Sequence, residues 1–186
     1  YQEQAGPQGR YRMMEVPLDG HSPTPLDLPL ANPDPGVVSP DGSMMLLRNI
    51  TQDKNGDEPL YRVYLPRGPA ICLGDILAYD SAWTPDQQSF LFSRDRAVYL
   101  TDVRGNVERK LFDTPGRAYA FRWHPGGRRF RFTVYDAQLF SYRIFEATLD
   151  QRPQEVFLGA NTPPQRCCGR WSPDGRYYFF EALVKL

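Results

Sequence analysis

The amino-acid sequence predicts an all-β fold built from four-stranded antiparallel units, and two observations lead to this prediction. Eighteen prolines and fifteen glycines divide the 186 residues into many short segments, as expected of strands separated by turns. A second observation is a segment that recurs four times, aligned on Pro40, Pro85, Pro125 and Pro173 at intervals of 45, 40 and 48 residues. A period in the forties with about four strands per repeat is typical of a β-propeller blade.

Each repeat predicts the same inner hairpin of a blade. The four copies read VVSPDGSMMLLR, SAWTPDQQSFLFSR, FRWHPGGRRFRFTV and GRWSPDGRYYFFEA, starting at Val37, Ser81, Phe121 and Gly169. A tryptophan two residues before the proline (Trp83, Trp123 and Trp171) is expected to end the first strand and to be buried between blades. The Pro-Asp-Gly step reverses the chain, because Pro presets φ, Asp bonds nearby amides and Gly accepts a positive φ. The aromatic and apolar residues that follow predict the second strand.

The remaining segments predict the outer strands and the domain organisation. AVYLTDV from Ala97 and VERKLFD from Val107 are joined by a turn at residues 104–106, and related pairs follow the other inner hairpins. Complete blades are predicted at residues 36–73, 78–113 and 117–158, with an outer half blade at 11–30 and an inner half blade at 166–182. Residues 1–186 are therefore expected to form a single, partial β-propeller domain. An arc of a larger propeller is favoured over a four-bladed ring that the two halves would close.

Composition limits the partners of this segment. The 22 basic and 22 acidic residues give a formal net charge of zero, so no overall field attracts nucleic acid. A membrane-spanning helix would need a run of about 18 apolar residues, and the sequence contains no such run. We expect no nucleic-acid contact and no membrane insertion by this segment. Because the chain starts at Tyr1 without a methionine, it is expected to be part of a longer bacterial protein, whose N-terminal region decides between periplasm and cytoplasm.

The adjacent cysteines Cys167 and Cys168 are the clearest candidates for chemistry. A redox switch or a soft-metal ligand pair is one interpretation, but a structural metal site needs about four ligands, and Cys72 is the one other cysteine. Adjacent side chains on a strand also point to opposite faces. The sequence therefore favours small packing residues, with a vicinal disulfide as the alternative, and predicts no metal or cofactor.

Three further motifs have plain structural interpretations. His124 occupies the Ser/Thr position of the third repeat and is expected to help form that turn. Because His21 is the other histidine and the sequence contains no G-x-S-x-G motif, no catalytic residue is predicted. The alternating DKNGDE from Asp53 to Glu58 lacks the Gly and Glu of a calcium loop, which favours a solvated loop. RRFRF from Arg128 resembles single-strand nucleic-acid binders, yet fits a strand with Phe130, Phe132 and Val134 on one face.

The repeats resemble those of the TolB-like family of β-propellers. The matching segments are Ser39–Gly42, Trp83–Asp86, Trp123–Gly126 and Trp171–Gly175, with Gln87 in place of the turn glycine and Gly126 in place of the turn aspartate. A narrower resemblance, carried by VPLDGHSPTPLDLPL, RWHPGGRRFRFTVYD and CCGRWSPDGRYYFFEA, is to the C-terminal propellers of large bacterial regulators that are common in acidobacterial genomes. Those proteins place a winged-helix DNA-binding domain or a Ser/Thr kinase domain ahead of the propeller.

This resemblance implies a non-catalytic sensing or protein-interaction module rather than an enzyme. Its partner would be a protein or a small molecule at the top face or central channel, and no ligand-binding residue can be assigned because the loops carry no distinctive pattern. Two alternatives remain open: the propeller of a prolyl-oligopeptidase-like serine peptidase, and a periplasmic TolB-type scaffold.

Overall fold

A computed structural model describes residues 2–5, 10–51, 56–159 and 165–182, and every regular element in these residues is a β-strand. All strand pairs within the sheets are antiparallel. Over the same ranges, no helix of the length and apolarity needed to cross a membrane is found. The predicted all-β class of four-stranded antiparallel blades is confirmed.

The chain divides into two compact units, the first of which runs to Ala78 and includes Arg104–Asn106. It contains a three-stranded sheet in the order β1-β2-β3 and a four-stranded sheet in the order β4-β5-β6-β7. The strands are β1 (Gln2–Ala5), β2 (Arg10–Glu15), β3 (Thr24–Pro25), β4 (Pro33–Val38), β5 (Met44–Asn49), β6 (Glu58–Tyr64) and β7 (Ala70–Ala78). Strand β1, which pairs with β2, was not expected from the sequence. A core of Met13, Met45, Leu47 and Val63 is buried in this unit.

The second unit comprises residues 79–103 and 107–186 and carries the candidate site. Its sheets have the orders β11-β10-β9-β8, β12-β13-β14-β15 and β16-β17. The strands are β8 (Asp80–Trp83), β9 (Ser89–Arg94), β10 (Ala97–Asp102), β11 (Glu108–Asp113), β12 (Arg117–Trp123), β13 (Phe130–Asp136), β14 (Ser141–Ala147), β15 (Gln154–Glu155), β16 (Arg166–Trp171) and β17 (Tyr178–Ala182). As predicted, β8, β12 and β16 each end at a tryptophan.

The core of the second unit includes one face of β13, where buried and partly exposed side chains follow strand alternation. Phe130, Phe132 and Val134 are completely buried on one face of β13, and Phe132 packs against Phe112, with 5.8 Å between ring centroids. On the other face, Arg131 Nε donates a hydrogen bond to Glu146 (2.9 Å). The strand interpretation of the Arg-aromatic segment is therefore confirmed.

Three of the four repeat turns are held by a hydroxyl and a carboxylate. The hydroxyl before the proline donates to the aspartate after it, at 2.6 Å for Ser39–Asp41, 2.6 Å for Thr84–Asp86 and 2.5 Å for Ser172–Asp174. Each carboxylate also accepts a hydrogen bond from the amide two residues further on. The hydrogen bond from the hydroxyl is the largest cause, and the one from the backbone amide the next, that lowers the pKa of each aspartate below its ordinary value. The turn prediction is confirmed, including at Gln87, which adopts the left-handed φ of 60° in place of glycine.

The third turn uses a histidine ring instead of a carboxylate. His124 Nδ1 accepts a hydrogen bond from the amide of Gly126 at 2.9 Å, and its Nε2 lies 3.2 Å from the carbonyl oxygen of Gly175 in the next hairpin's turn. With Nδ1 accepting, Nε2 carries the proton in the neutral ring and donates to that carbonyl. His124 therefore holds this turn without a carboxylate, through the amide of Gly126 itself rather than through the amide two residues beyond the aspartate position, which the carboxylate binds in the other three turns.

A bulge in the first strand is a repeated feature that the sequence did not reveal. The register of β4 shifts between Asp34 and Val37, that of β12 between Tyr119 and Arg122, and that of β16 between Cys167 and Arg170. Ala120 and Cys168, each five residues before a repeat proline, have φ of 55° and 60°. Because a bulge changes the direction of side chains, the residues at these positions do not follow simple strand alternation.

The acidic loop at residues 53–58 is only partly described. Asp53 and Asn55 lie outside the described residues, whereas Asp57 and Glu58 are buried. The Glu58 carboxylate accepts hydrogen bonds from the amide and the hydroxyl of Thr51, at 2.9 and 2.5 Å. The expectation of a solvated loop is therefore wrong for these two residues, because Glu58 is bound to its own hairpin.

Candidate functional site

The candidate site lies at one end of the strands of the second unit, opposite its repeat turns. β12 starts at Arg117, which pairs with Tyr135, and Tyr135 pairs with Tyr142; β16 starts at Arg166, which pairs with Ala182. These pairings place all five residues at the same end of their sheets. We call this the strand-end surface.

Two cavities open on the strand-end surface. The larger, of about 450 Å³, is lined by Asp95, Arg96, Pro115, Gly116, Arg117, Tyr135, Asp136, Ala137 and Gln138. The smaller, of about 300 Å³, is lined by Tyr142, Gln165, Arg166, Cys167, Glu181 and Ala182. Volumes near the lower end of the range for small-molecule sites suit a small ligand or the side chains of a docked segment.

Tyrosine and arginine side chains form aromatic and cation–π contacts at this end of the unit. Tyr79 and Tyr119 contact edge to face with their centroids 6.2 Å apart, and the guanidinium of Arg117 lies 4.7 Å from the Tyr79 ring centroid. The ring centroids of Tyr135 and Tyr142 lie 4.8 Å apart. Burial is the main cause that raises the pKa of Tyr119, and the neighbouring Tyr142 adds to it. Tyr119 therefore contributes a half-buried ring to this end of the unit rather than an exposed one.

A chain of ion pairs joins the strands beneath the surface. Arg143 on β14 lies 2.9 Å from Asp136 on β13 and 3.2 Å from Glu155 on β15. Glu155 in turn lies 3.3 Å from Arg166 at the start of β16. Because Asp136 and both arginines are less than a quarter exposed, these pairs are screened less than surface pairs. The network connects the four-stranded sheet to the β16-β17 hairpin.

The loop between β13 and β14 exposes two large apolar side chains on a well-held backbone. Asp136 accepts hydrogen bonds from the amides of Gln138 and Leu139 at 3.0 and 3.3 Å, and Phe140 takes a left-handed φ of 46°. Leu139 and Phe140 are 65% and 74% exposed. Apolar side chains held out to solvent beside a cavity are typical of contact surfaces.

Cys167 and Cys168 lie at the bulge of β16 and form a vicinal disulfide. The sequence favoured packing residues, but the structure shows the alternative. The left-handed φ of Cys168 interrupts the alternation that would point the two side chains to opposite faces. The Cys168 amide donates to Thr133 Oγ1 at 3.2 Å, and Cys167 Sγ lies 3.9 Å from a carboxylate oxygen of Glu181.

The other residues that the sequence singled out lie elsewhere. His124 belongs to the repeat turn at the opposite end of the hairpins, His21 pairs with Asp19 at 2.8 Å in the first unit, and Cys72 is an exposed free cysteine. Sequence reasoning missed the tyrosines, although a signal was present. Tyr79, Tyr119 and Cys167 each stand six residues before a repeat proline and therefore occupy the same position of the repeat.

No protein-family model and no curated protein sequence matches this chain, whereas solved structures do. A putative TolB from Agrobacterium tumefaciens matches 94% of this chain and 66% of its own with a TM-score of 0.71 at 20% identity. TolB from Acinetobacter baumannii matches 91% of this chain and 42% of its own, with a TM-score of 0.68 at 18% identity. Porphyromonas gingivalis dipeptidyl peptidase 4 matches 90% of this chain and 34% of its own, with a TM-score of 0.53 at 10% identity.

These matches, together with the repeated four-stranded sheets, define the chain as a β-propeller protein. Within that class its fold is TolB-like. The chain spans about two thirds of the length of the first TolB structure and less than half of the second.

Proposed function

We propose that this chain is a non-catalytic β-propeller module through which a larger bacterial signalling protein or transcriptional regulator binds a protein or a small molecule. The observation that carries the proposal is the strand-end surface, where Leu139 and Phe140 are held in solvent beside a cavity of about 450 Å³. Such a surface lets a partner bury apolar area against side chains that are already positioned, which lowers the ordering cost of binding.

The chemistry of the surface favours a protein segment with an acidic or aromatic side chain. Arg96 and Arg117 line the larger cavity with Tyr135, and Tyr and Arg are the residues that most often dominate binding energy at protein interfaces. A partner that places an apolar side chain against Phe140 and a carboxylate near Arg96 would match both features.

Site-specific photo-crosslinking in the native bacterium tests this proposal. A photo-reactive phenylalanine analogue at Phe140 is expected to give one discrete cross-linked partner or ligand, identified by mass spectrometry and competed by the purified chain. The matched control is the same analogue at Tyr177, which is 59% exposed and follows the Ser172 turn at the opposite end of the hairpin. Equal products at both positions, or none at Phe140, would contradict the proposal.

The regulator context rests on the sequence resemblance and is tested on the coding sequence that flanks this segment. A winged-helix or Ser/Thr kinase domain encoded upstream in the same reading frame is the expected result. A secretory signal with a self-contained propeller would indicate a periplasmic scaffold of the TolB type instead.

A second candidate function is the propeller of a serine peptidase. It is favoured by the fold similarity to Porphyromonas gingivalis dipeptidyl peptidase 4 over 90% of this chain. This function requires an α/β-hydrolase domain with a G-x-S-x-G nucleophile motif in the same gene, and finding one would replace the first proposal.

A further inference from the structure

We propose that the reduced Cys167–Cys168 pair and Glu181 bind a thiophilic divalent cation such as Zn²⁺, and that the vicinal disulfide is the closed form of this site. This goes beyond the proposed binding function, because it assigns a metal site with redox control to a particular place in the fold. Thiolate and carboxylate are both established ligands of Zn²⁺.

The bulge of β16 supplies the geometry. In a regular strand, two adjacent cysteines project to opposite faces and could not hold one ion. At this bulge, both sulfurs come together, and the two Sγ atoms and a carboxylate oxygen of Glu181 all lie within 4.8 Å of one another. Two sulfurs bound to one Zn²⁺ are about 3.8 Å apart, because each bond is about 2.3 Å and the angle is tetrahedral. The ligands therefore need only side-chain rotation to converge.

Both strands of the hairpin hold the ligands in place. Cys167 and Glu181 are direct partners in the β16-β17 register, so the carboxylate faces the sulfur across the ladder. The backbone of Cys168 is tied to the neighbouring sheet by its hydrogen bond to Thr133. Because the backbone positions do not depend on the sulfur–sulfur bond alone, breaking that bond leaves the three residues close together.

The cavity beside the cysteines gives an ion access to the site, and the charges around the site allow a cation to bind. Cys167 and Glu181 line the smaller cavity of about 300 Å³, which leaves the fourth coordination position open to water or to an incoming ligand. Arg166 also lines this cavity, but its charge is compensated by Glu155 at 3.3 Å. Two thiolates and the Glu181 carboxylate then outweigh the divalent charge of the ion.

Redox chemistry opens and closes the site. A dithiol reductant transfers two electrons and two protons to the disulfide; the bond between the Cys167 and Cys168 sulfurs breaks, two thiols form, and the reductant becomes a disulfide. Zn²⁺ then binds as the two thiols release their protons. In the oxidised form the sulfurs carry no negative charge and cannot act as thiolate ligands.

Metal titration of the oxidised and the reduced protein tests the inference. The experiment uses the Cys72→Ser variant, so that only the vicinal pair can bind as thiolates. After reduction with dithiothreitol and anaerobic desalting, we expect one Cd²⁺ per chain, detected by the ultraviolet thiolate-to-metal charge-transfer band. An excess of Zn²⁺ should compete with Cd²⁺ for the site and weaken the band, and the oxidised protein should show no such band.

Variants identify the ligands. Cys167→Ser or Cys168→Ser in the same background should abolish the one-to-one site, and Glu181→Gln should weaken Zn²⁺ binding by roughly tenfold or more. Glu108→Gln, which removes a carboxylate paired with Arg94, is the matched control and should change nothing. Far-ultraviolet circular dichroism checks that each variant keeps its β-structure.

Four results would overturn the inference. These are the absence of a charge-transfer band after reduction, the same band before and after reduction, unchanged affinity in Glu181→Gln, and alkylation of Cys167 and Cys168 in the aerobically purified protein without reductant. The last result can be read by mass spectrometry on the unmodified chain and does not depend on any variant folding.

Discussion

The β12-β13 and β16-β17 hairpins are two copies of the same repeat, and their differences separate what the fold needs from what the site uses. Each has a tryptophan at the end of the first strand, a turn that begins with proline, and a bulge at the same place. Yet β13 is buried, with Phe132 completely inaccessible, whereas the equivalent residue on β17, Phe180, is only half-buried. The bulge holds Tyr119 and Ala120 in one hairpin and a disulfide in the other.

The comparison shows that the turn and the buried alternate positions define the hairpin, while the bulge side chains are free to vary. The bulge residue of each hairpin is bound to the preceding sheet through its backbone. The Ala120 amide donates to Asp80 at 2.5 Å, and the Cys168 amide donates to Thr133 at 3.2 Å. Because the backbone provides this contact, the side chains can carry tyrosine in one repeat and a thiol pair in another.

The largest expected effect comes from the buried position of the second strand. Phe132→Ala should lower the free energy of unfolding by about 3–5 kcal/mol, because its ring contacts Phe112, Phe121 and Phe145 at centroid distances of 5.5–5.8 Å. Phe180→Ala, at the equivalent position of the half-buried β17, should cost less than half as much. Urea denaturation followed by tryptophan fluorescence measures both, and equal losses would show that β17 is as buried as β13.

This contrast also shows how much of the fold the sequence could predict. The strand patterns, the tryptophans and the turn residues depend on local chemistry, so β8, β12 and β16 and the turns at Pro40, Pro85 and Pro173 followed from the sequence. The bulges did not, because Ala120 and Cys168 are not residue types that usually take a positive φ.

The candidate site was harder to predict for the same reason. The disulfide at Cys167 depends on the φ of Cys168, and the tyrosine contacts depend on how neighbouring sheets pack. Neither is visible in the spacing of apolar residues. The equivalence of Tyr79, Tyr119 and Cys167 within the repeat was the one available signal.

Gly169 is a second position at which the two hairpins differ. In β12 the equivalent residue is the buried Phe121, whereas a Cβ at Gly169 would overlap the ring of Tyr178, whose hydroxyl would lie only 2.6 Å away. Tyr178 packs edge to face on Trp171 at 4.8 Å, so Gly169→Ala should displace it and cost about 1–3 kcal/mol.

A double-mutant cycle checks this cause. In a Tyr178→Ala background, Gly169→Ala should cost almost nothing, because the overlapping ring is gone. The same loss in both backgrounds would place the cost in the β16 backbone rather than in the contact with Tyr178.

A smaller loss of stability is expected from the repeat turn that contains His124. His124→Ser should destabilise the protein by about 1 kcal/mol, because the Gly126 amide loses its acceptor and Trp171 loses an edge contact at 4.7 Å. Adding Gly126→Asp should recover part of this loss by rebuilding the hydroxyl-carboxylate turn seen at Ser172. If Gly126→Asp gives no recovery in the His124→Ser background, the two turns are not interchangeable solutions.

The smallest effect is expected from the charge of the Ser172 turn. The pKa of Asp174 is lowered by its hydrogen bonds to the Ser172 hydroxyl and the Arg176 amide, so the folded chain binds this proton more weakly than the unfolded chain does. Its contribution to stability is therefore present above about pH 4 and is lost as the pH falls through the lowered pKa. Asp174→Asn should lower the urea midpoint at neutral pH and match the parent protein in acid.

The His124 turn allows a matched test of the direction in which the turn carboxylate changes stability with pH. It has no carboxylate, so adding Gly126→Asp to His124→Ser should introduce an acid-sensitive contribution that the His124→Ser variant lacks. The urea midpoint of the double variant should fall more steeply than that of His124→Ser between neutral and acidic pH. Parallel pH profiles would mean that the carboxylate acts in these turns only as a neutral hydrogen-bond acceptor, because a charge that stabilises the folded state must make the turn weaker when it is protonated.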